Sequence, residues 1–251
     1  MNAGATLARK MRIMTDNSKN TKAKQRRSAT MEEPRTTYLP GMGHDWLLPL
    51  YDPLQKLLAF EAVHRQLVDQ ADIRPNHRVI EIGCGTGNLS ILTKRLHPQA
   101  EVVGLDPDPK ALARARRKAE REALSVQLDR AFAEELPYPD ASFDRVFSAF
   151  MFHHLEPDEK EKTLQEARRV LKPSGSLHLL DFGGAKVQSD GFIARLQHRS
   201  ERLRDNFGDR IPTLMREAGF ADPTEVAHRI TIFGRVTYYR ATVLRAESGA
   251  A

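Results

Sequence analysis

Three glycines within five residues form the part of this sequence best suited to chemistry. They are Gly83, Gly85 and Gly87, in the stretch VIEIGCGTGNLS of residues 79–90. Glycine adopts positive φ angles and lets a ligand approach the main chain directly. An apolar run precedes the glycines and a helical pattern follows them, so we expect a strand, a tight turn and a helix. The free N–H groups that begin such a helix suit a carboxylate or a phosphate.

An acidic residue stands at the end of the next apolar run. Asp106 closes EVVGLD, 19 residues after Gly87, near the offset of about 20 residues at which an acid binds ribose hydroxyls. The alternative is that Asp106 belongs only to the turn before the next helix. Asp108, followed by Pro109, already has the pattern of that helix's N-cap. We therefore favour the ribose role for Asp106.

The glycine spacing does not fit a dinucleotide site. That site needs G-x-G-x-x-G, but Asn88 occupies the third glycine position counted from Gly83, and Ser90 occupies it counted from Gly85. A dehydrogenase is therefore disfavoured. The cofactor expected here contains a nucleoside without being a dinucleotide.

Strand and helix patterns alternate around these residues. Alternation of this kind predicts an α/β fold, a parallel sheet with helices on both faces. Near the C-terminus, DRIPTLMREAGF predicts a helix, and TEVAHRITIFGRVTYYRATVLR predicts an antiparallel hairpin that turns around Gly234. The predicted strands are RVIEIG, AEVVGLD, SVQLDRAFA, SFDRVFSAF and GSLHLLDF, and the predicted helices between them are NLSILTKRLH, DPKALARARRKAEREA and EPDEKEKTLQEARRVLK.

The net charge of +6 lies in the first part of the 251-residue chain. Residues 1–37 hold nine of the 39 basic residues and three of the 33 acidic ones, so residues 38–251 carry no net charge. We expect residues 1–37 to be a basic, disordered extension, with a transit peptide or electrostatic binding to RNA or anionic lipid as alternatives. The single cysteine, Cys84, excludes an internal disulfide and a cysteine-only metal cluster and suits the cytoplasm.

The run E-x-G-x-G-x-G from Glu81 resembles the first motif of class I S-adenosylmethionine-dependent methyltransferases. AFAEELPYPDASFDRVFSAFMFHHL is similar to the stretch that encloses adenine and forms the fourth strand in that family. EARRVLKPSGSLHLLDF is similar to its helix-turn-strand with a Lys-Pro-x-Gly turn. The resemblance covers roughly residues 55–245. It implies a Rossmann-like, doubly wound, seven-stranded, mostly parallel sheet with an antiparallel C-terminal hairpin and S-adenosyl-L-methionine as cofactor, with no metal.

The resemblance also implies how each part of the cofactor is held. The glycine loop would border the methionine half, Asp106 the ribose, and the segment around residue 133 the adenine. Many relatives have Asp where Phe132 stands, and that Asp accepts a hydrogen bond from the adenine amino group; Phe132 could instead belong to the core. The cofactor-binding residues implied are Glu81, Gly83, Cys84, Gly85, Gly87, Asp106, Pro107, Phe132, Ala133, Glu134 and Phe150.

Two adjacent histidines follow the fourth predicted strand, where the sulfonium methyl should lie. Methyl transfer depends largely on proximity and alignment, and a base is needed only for an acceptor that must lose a proton. Neutral imidazole can accept that proton, which makes His153 and His154 the candidate catalytic residues. The alternatives are that they line the pocket or only bind the turn.

The acceptor is less well defined by the sequence. YDPLQKLLAFEAVHRQL is similar to the N-terminal helix of quinone-biosynthesis methyltransferases, but FMFHHL replaces the Arg-Asn-Val that follows their fourth strand, so no quinone is assigned. The sequence lacks an Asn-Pro-Pro-Tyr motif for base methylation and a Pro-Cys nucleophile. We expect transfer to oxygen, nitrogen or carbon of a small molecule. The alternatives are an RNA or protein substrate recruited by the basic tail, or a non-catalytic S-adenosylmethionine-binding protein. Residues 38–251 would form the methyltransferase domain, and residues 38–70 and 183–208 are candidate lids.

Overall fold

The computed structural model describes residues 60–184, 206, 208–231 and 234–243. The basic extension predicted over residues 1–37 lies outside these residues. So do most residues of the two candidate lid segments. Of the lid segments, the structure describes residues 60–70, which are mainly helical, together with residues 183, 184, 206 and 208.

Seven strands form one sheet in the order β3-β2-β1-β4-β5-β7-β6. The first five pair in parallel, β7 runs antiparallel to β5, and β6 runs antiparallel to β7. This arrangement confirms the predicted α/β fold with its antiparallel C-terminal hairpin. The strands are β1 (Arg78–Ile82), β2 (Glu101–Leu105), β3 (Gln127–Asp129), β4 (Phe143–Ala149), β5 (Leu171–Phe182), β6 (Ala221–Thr231) and β7 (Gly234–Thr242).

Helices cover both faces of the sheet. Buried side chains of neighbouring strand residues alternate between two apolar clusters: Ile80 and Leu179 belong to one, and Val79 and Leu180 to the other. Because successive strand side chains point to opposite faces, each cluster occupies one face. The described helices are α1 (Phe60–Asp69), α2 (Asn88–Leu96), α3 (Pro109–Arg121), α4 (Pro157–Val170) and α5 (Arg210–Glu217), with a 3₁₀ turn at Phe152–His154.

The helix start predicted at Asp108 is confirmed. Its carboxylate accepts a hydrogen bond from the Lys110 N–H at 2.7 Å, and Pro109 is the first helical residue. A side-chain cap of this kind satisfies one of the otherwise unpaired N–H groups of the first turn. Asp108 therefore fixes where α3 begins, directly after the end of β2.

The strand β5 starts earlier than the sequence predicts. GSLHLLDF would begin it at Gly175, but α4 ends at Val170 and the strand begins at Leu171. Leu171 pairs with Phe143, and the next pairing joins Ser176 to Arg145. Residues 172–175 therefore have few partners opposite them and form an irregularity inside the strand, which is where the predicted Lys-Pro-x-Gly turn falls.

The chain reverses its direction across the sheet at β1. It winds from β1 outward through β2 to β3, then crosses back to place β4 on the other side of β1. In open parallel sheets, ligands bind beyond the carboxyl ends of the strands at such a switch point. The residues that follow β1, β2, β4 and β5 therefore meet at the same edge.

Candidate functional site

The glycine loop connects β1 to α2 and is tied to the end of β2. The main-chain N–H groups of Gly83 and Cys84 both donate to the Leu105 carbonyl, at 2.8 and 2.9 Å. Gly83, Gly85 and Gly87 have φ angles of 74°, 52° and 78°, a region that other L-residues rarely occupy. The loop is thus held in a conformation that requires glycine.

The three glycines face different surroundings. A Cβ atom at Gly83 would overlap the Met151 side chain, and one at Gly87 would lie 2.8 Å from Ala115 Cβ. A Cβ at Gly85 would meet nothing within 4 Å. Protein packing therefore accounts for the missing side chain at Gly83 and Gly87. Gly85 alone borders open space into which a ligand can approach the main chain.

Asp106 lies between the glycine loop and the start of α3. Its Oδ2 accepts a hydrogen bond from the Gly85 N–H at 2.7 Å, and its Oδ1 accepts one from the Asp108 N–H at 2.9 Å. Burial raises the pKa of this carboxyl to about 6, although both main-chain bonds act in the opposite direction. A carboxylate has about four acceptor sites, so each oxygen can still accept a bond from a ribose hydroxyl. These acceptor positions thus fit the ribose hydroxyls of a nucleoside.

Glu81 lies under the same loop, on β1. It is buried, and its Oε2 accepts a hydrogen bond from the Ser90 hydroxyl on α2. Burial raises the pKa of Glu81 to about 8. A carboxyl in this condition is poised to ionise when a cationic group comes close.

Two further side chains complete the loop. Cys84 is buried and unpaired, and burial raises the pKa of its thiol well above the usual value, which makes the thiol unreactive. The Lys118 ammonium on α3 donates to Thr86 Oγ1 at 2.9 Å and to Asn88 Oδ1 at 2.6 Å. Lys118 thereby joins α3 to the residues at the start of α2.

The segment expected to hold adenine follows β3. Ala133 is buried in one apolar cluster, whereas Phe132 and Glu134 are half-buried and Phe132 is outside both clusters. The Pro107 carbonyl, across from this segment, accepts a hydrogen bond from Arg130 Nε at 3.1 Å. The segment is therefore fixed to the end of β2, beside Asp106.

The turn after β4 contains a residue in a costly conformation. Phe150 has a φ angle of 54°, which is a genuine outlier for a bulky residue. Its N–H donates to the Leu180 carbonyl at 2.8 Å. The rings of His153 and His154 follow it in the 3₁₀ turn, 4.0 Å apart between centroids. Strained residues of this kind concentrate at functional sites.

His153 forms a pair with an acid that sequence reasoning missed. Its Nδ1 lies 2.6 Å from Oδ1 of Asp181, and its main-chain N–H donates to Oδ2 at 3.0 Å. The Asp181 side chain is fully buried, whereas 15% of the His153 side chain is exposed. With Nδ1–H donating to the carboxylate, Nε2 carries a lone pair. The signal in the sequence was an acid at the end of GSLHLLDF, the strand next to the one that precedes His153.

Aromatic rings form a continuous row beside this pair. The ring of Phe60 lies 4.9 Å from Phe150, Phe150 lies 5.2 Å from Phe182, and Phe182 lies 5.3 Å from His153, all between centroids. We call these four residues the aromatic row. It runs from α1 across the carboxyl ends of β4 and β5 to the turn that carries His153.

Neither a membrane span nor a metal cluster occurs in the described part of the chain. No helix there is long and apolar enough to cross a bilayer. No group of three or more His, Cys, Asp or Glu side chains in those residues converges on a position for a metal ion.

The fold defines a class of protein: an α/β protein of the kind that binds ligands at a topological switch point. A methyltransferase-domain family model matches residues 79–175. The chain is 40% identical over 153 residues to the demethylmenaquinone methyltransferase of Thermus thermophilus, covering 60% of this chain and 69% of that protein. The chain belongs to the class I S-adenosylmethionine-dependent methyltransferases, and S-adenosylmethionine is its cofactor.

Two further relatives support the family, and one solved structure shares the fold. The demethylmenaquinone methyltransferase of Deinococcus radiodurans is 34% identical over 204 residues, 78% of this chain and 84% of that protein. The ubiquinone/menaquinone biosynthesis C-methyltransferase of Bordetella avium is 36% identical over 137 residues, 53% and 52% of the two chains. The structure of an S-adenosylmethionine-dependent methyltransferase from Aquifex aeolicus has a TM-score of 0.55 at 18% identity, covering 72% of this chain and 89% of that one, and shows a common fold.

Proposed function

We propose that this methyltransferase transfers its methyl group to a ring carbon of a small hydroxylated aromatic molecule of the quinol class. The observation that carries the proposal is the His153–Asp181 pair, which lies at the end of the aromatic row and at the carboxyl edge of the sheet. The relatives that are named for demethylmenaquinone and for C-methylation support the same class of acceptor. A cytoplasmic location is part of the proposal, supported by the unpaired Cys84.

The cofactor site belongs to the same proposal. We assign the open space at Gly85 and the carboxyl of Glu81 to the methionine half, and Asp106 to the ribose. Gly83, Cys84 and Gly87 shape the loop, and Phe150 borders it from the turn after β4. The adenine lies against the segment after β3 and the end of β2, with Pro107, Phe132, Ala133 and Glu134 around it.

The chemistry needs one base. When bound, S-adenosylmethionine supplies the methyl group, and its sulfur keeps the electron pair of the broken C–S bond. His153 accepts the acceptor's hydroxyl proton at Nε2, and the buried Asp181 carboxylate stabilises the imidazolium that forms. The phenolate makes the adjacent ring carbon nucleophilic. After that carbon takes the methyl group, its hydrogen leaves to water as a proton, and His153 returns the first proton to the oxygen.

We assign His154 a different role from that of His153. Its ring lies at 41° to that of His153, with 4.0 Å between centroids, while His153 is the one bonded to Asp181 through both its ring and its main chain. We therefore assign proton transfer to His153 and assign His154 to the wall of the pocket.

The test is a product analysis. The full chain is incubated anaerobically with S-adenosylmethionine and either 1,4-dihydroxynaphthalene or a reduced short-chain 2-prenyl-1,4-naphthoquinone, and products are identified by mass spectrometry and NMR. We expect a C-methylated ring. His153→Asn, which can still donate to Asp181 but cannot act as a base, should lose about 10²–10⁴-fold in rate. A methyl ether would correct the atom methylated, and no transfer by a protein that binds the cofactor would contradict the proposal.

A further inference from the structure

Lys160, on α4, is a lysine whose side chain is withdrawn from solvent. The residue is 0% exposed and belongs to the inner face of the helix together with Thr163 and Leu164. Lysine is almost never fully buried unless its ammonium is paired, because the charge loses its hydration when it leaves water. The proposed methyl transfer does not use this charge. The groups that the ammonium contacts therefore indicate what it does.

The ammonium contacts two segments next to the proposed base. Its Nζ donates a hydrogen bond to Asn206 Oδ1 at 3.2 Å. It also lies 5.6 Å from the centroid of the Phe152 ring, within the range of about 6 Å of a cation–π contact. Phe152 is the first residue of the 3₁₀ turn and directly precedes His153. Lys160 therefore joins Asn206 to the turn that carries the base.

Asn206 fixes the main chain at the end of β5. Its Nδ2 donates to the Phe182 carbonyl at 3.2 Å, although the two residues are 24 positions apart. Its main-chain carbonyl accepts from the Gly184 N–H at 3.0 Å, and a Cβ atom at Gly183 would overlap that carbonyl. Asn206 is 0% exposed. Its amide thus uses the oxygen to bind α4 and the nitrogen to bind the residue that follows Asp181.

The segments that carry the His153–Asp181 pair are therefore joined twice. The direct connection is the pair itself, through the ring and the main chain of His153. The second connection leads from Lys160 through Asn206 to Phe182, whose N–H donates to Asp181 Oδ1 at 2.7 Å. That Oδ1 is also the atom that His153 Nδ1 contacts at 2.6 Å. A displacement of the main chain at Phe182 would change the direction of the hydrogen bond to the histidine.

We propose that Lys160 and Asn206 are positioning residues that hold the end of β5 against the turn of His153 and so align Asp181 with the base. The inference rests on the proposed function and extends it to two residues that act through the pair. A base must lie within hydrogen-bond reach of the proton that it takes, and a misplacement of about 1 Å can cost about 100-fold in rate. Changes at the second connection should therefore lower the rate of transfer more than they weaken binding.

The first experiment removes each end of the second connection in the full-length protein. Lys160→Met keeps the length of the side chain but cannot donate to Asn206. Asn206→Asp can still accept from Lys160 but loses the N–H that binds Phe182. Each variant should lower kcat for methyl transfer to 1,4-dihydroxynaphthalene about tenfold, with KM and the affinity for S-adenosylmethionine within about threefold.

Two further variants complete this comparison. The double variant of Lys160→Met and Asn206→Asp should lose little more activity than either single variant, because both changes break one connection. Lys162→Met, which alters the exposed Lys162–Asp158 pair on the same helix, is the matched control and should leave kcat unchanged.

NMR of histidine-labelled protein measures the alignment without an acceptor. The proton between His153 Nδ1 and Asp181 should give a downfield resonance, assigned by its loss in His153→Asn. Lys160→Met and Asn206→Asp should each shift or broaden this resonance at a temperature at which circular dichroism shows the variant to be folded. Should Lys160→Met fail to fold, Asn206→Asp makes the same comparison.

The two measurements separate the positioning role from the proposed function. A resonance that neither variant changes would overturn the inference whatever happens to kcat, as would equal losses of kcat and of cofactor affinity. If the resonance shifts in both variants but the wild type transfers no methyl group, the positioning role stands and the proposed function fails. Absence of the resonance from the wild type would contradict the pair itself, and with it both proposals.

Discussion

Replacing Asp181 with Asn changes one charge in the proposed catalytic pair and almost no volume. In the wild type, Oδ1 accepts from His153 Nδ1 at 2.6 Å and from the Phe182 N–H at 2.7 Å, and Oδ2 accepts from the His153 N–H at 3.0 Å. An amide has only one oxygen. In either orientation, the NH₂ group of the substituted side chain would therefore face a main-chain N–H.

The magnitude follows from these three bonds. One unpaired N–H in a buried position should lower the free energy of unfolding by about 1–3 kcal/mol. The loss of the buried negative charge removes the stabilisation of the imidazolium and, in one orientation, selects the wrong tautomer of His153. A positioned base contributes about 10²–10⁴-fold, so we expect Asp181→Asn to reduce kcat by about 100-fold, equivalent to about 2.7 kcal/mol.

The assay is methyl transfer to 1,4-dihydroxynaphthalene at saturating cofactor, with calorimetric affinity for S-adenosylmethionine measured on the same samples. Affinity should stay within about threefold, since Asp181 contacts the histidine and not the cofactor pocket. In a His153→Asn background, Asp181→Asn should have little further effect on kcat. Asp158→Asn, which alters the exposed Lys162–Asp158 pair on α4, is the matched control. Equal and additive losses from the two site substitutions would refute the base assignment.

Two other predictions concern the cofactor loop. Gly85→Ala and Gly87→Ala both carry the strain of a positive φ angle. Beyond that shared cost, the Gly85 methyl group enters open space and should be the more harmful to S-adenosylmethionine binding, whereas the Gly87 methyl group meets Ala115 at 2.8 Å and should be the more destabilising to the fold. Calorimetry and urea unfolding of both variants measure this difference, and the same ranking in both assays would contradict it. Burial raises the pKa of Glu81 from its usual 4.5 to about 8, so the folded state binds the extra proton and the free energy of unfolding should fall as pH rises between these values. Urea titrations across that range should show a smaller fall for Glu81→Gln, and an equal fall in both proteins would count against it.

Much of the fold could be predicted because its signals are local. The Asp108-Pro109 pair marks the start of α3, and the alternation of apolar runs with helical periods specifies the parallel sheet. The start of β5 could not be predicted, because it depends on Leu171 pairing with Phe143 on another strand. A turn motif of Pro and Gly gives no information about such a pairing.

The same distinction between local signals and contacts of distant segments applies to the site residues. Asp106 and the glycine loop could be found from spacing along the chain, since both follow neighbouring strands. The partner of His153 lies 28 residues away, and only the register of β4 against β5 brings it close. Besides the positive φ angles, contacts with Met151 and Ala115 exclude a side chain at 83 and 87, and no local pattern connects these two residues to the loop.

The strand order also has a consequence for how the protein is made. The central pair, β1 and β4, joins segments more than 60 residues apart, with the Arg78 N–H bonded to Asp144 across 66 positions. Non-local pairing of this kind slows folding, and chains are synthesised from the N-terminus. The glycine loop therefore leaves the ribosome well before the strand that completes its edge of the sheet. A nascent chain should become able to bind the cofactor only after β4 has emerged. It should become able to transfer the proton only after β5, which carries Asp181, has emerged as well.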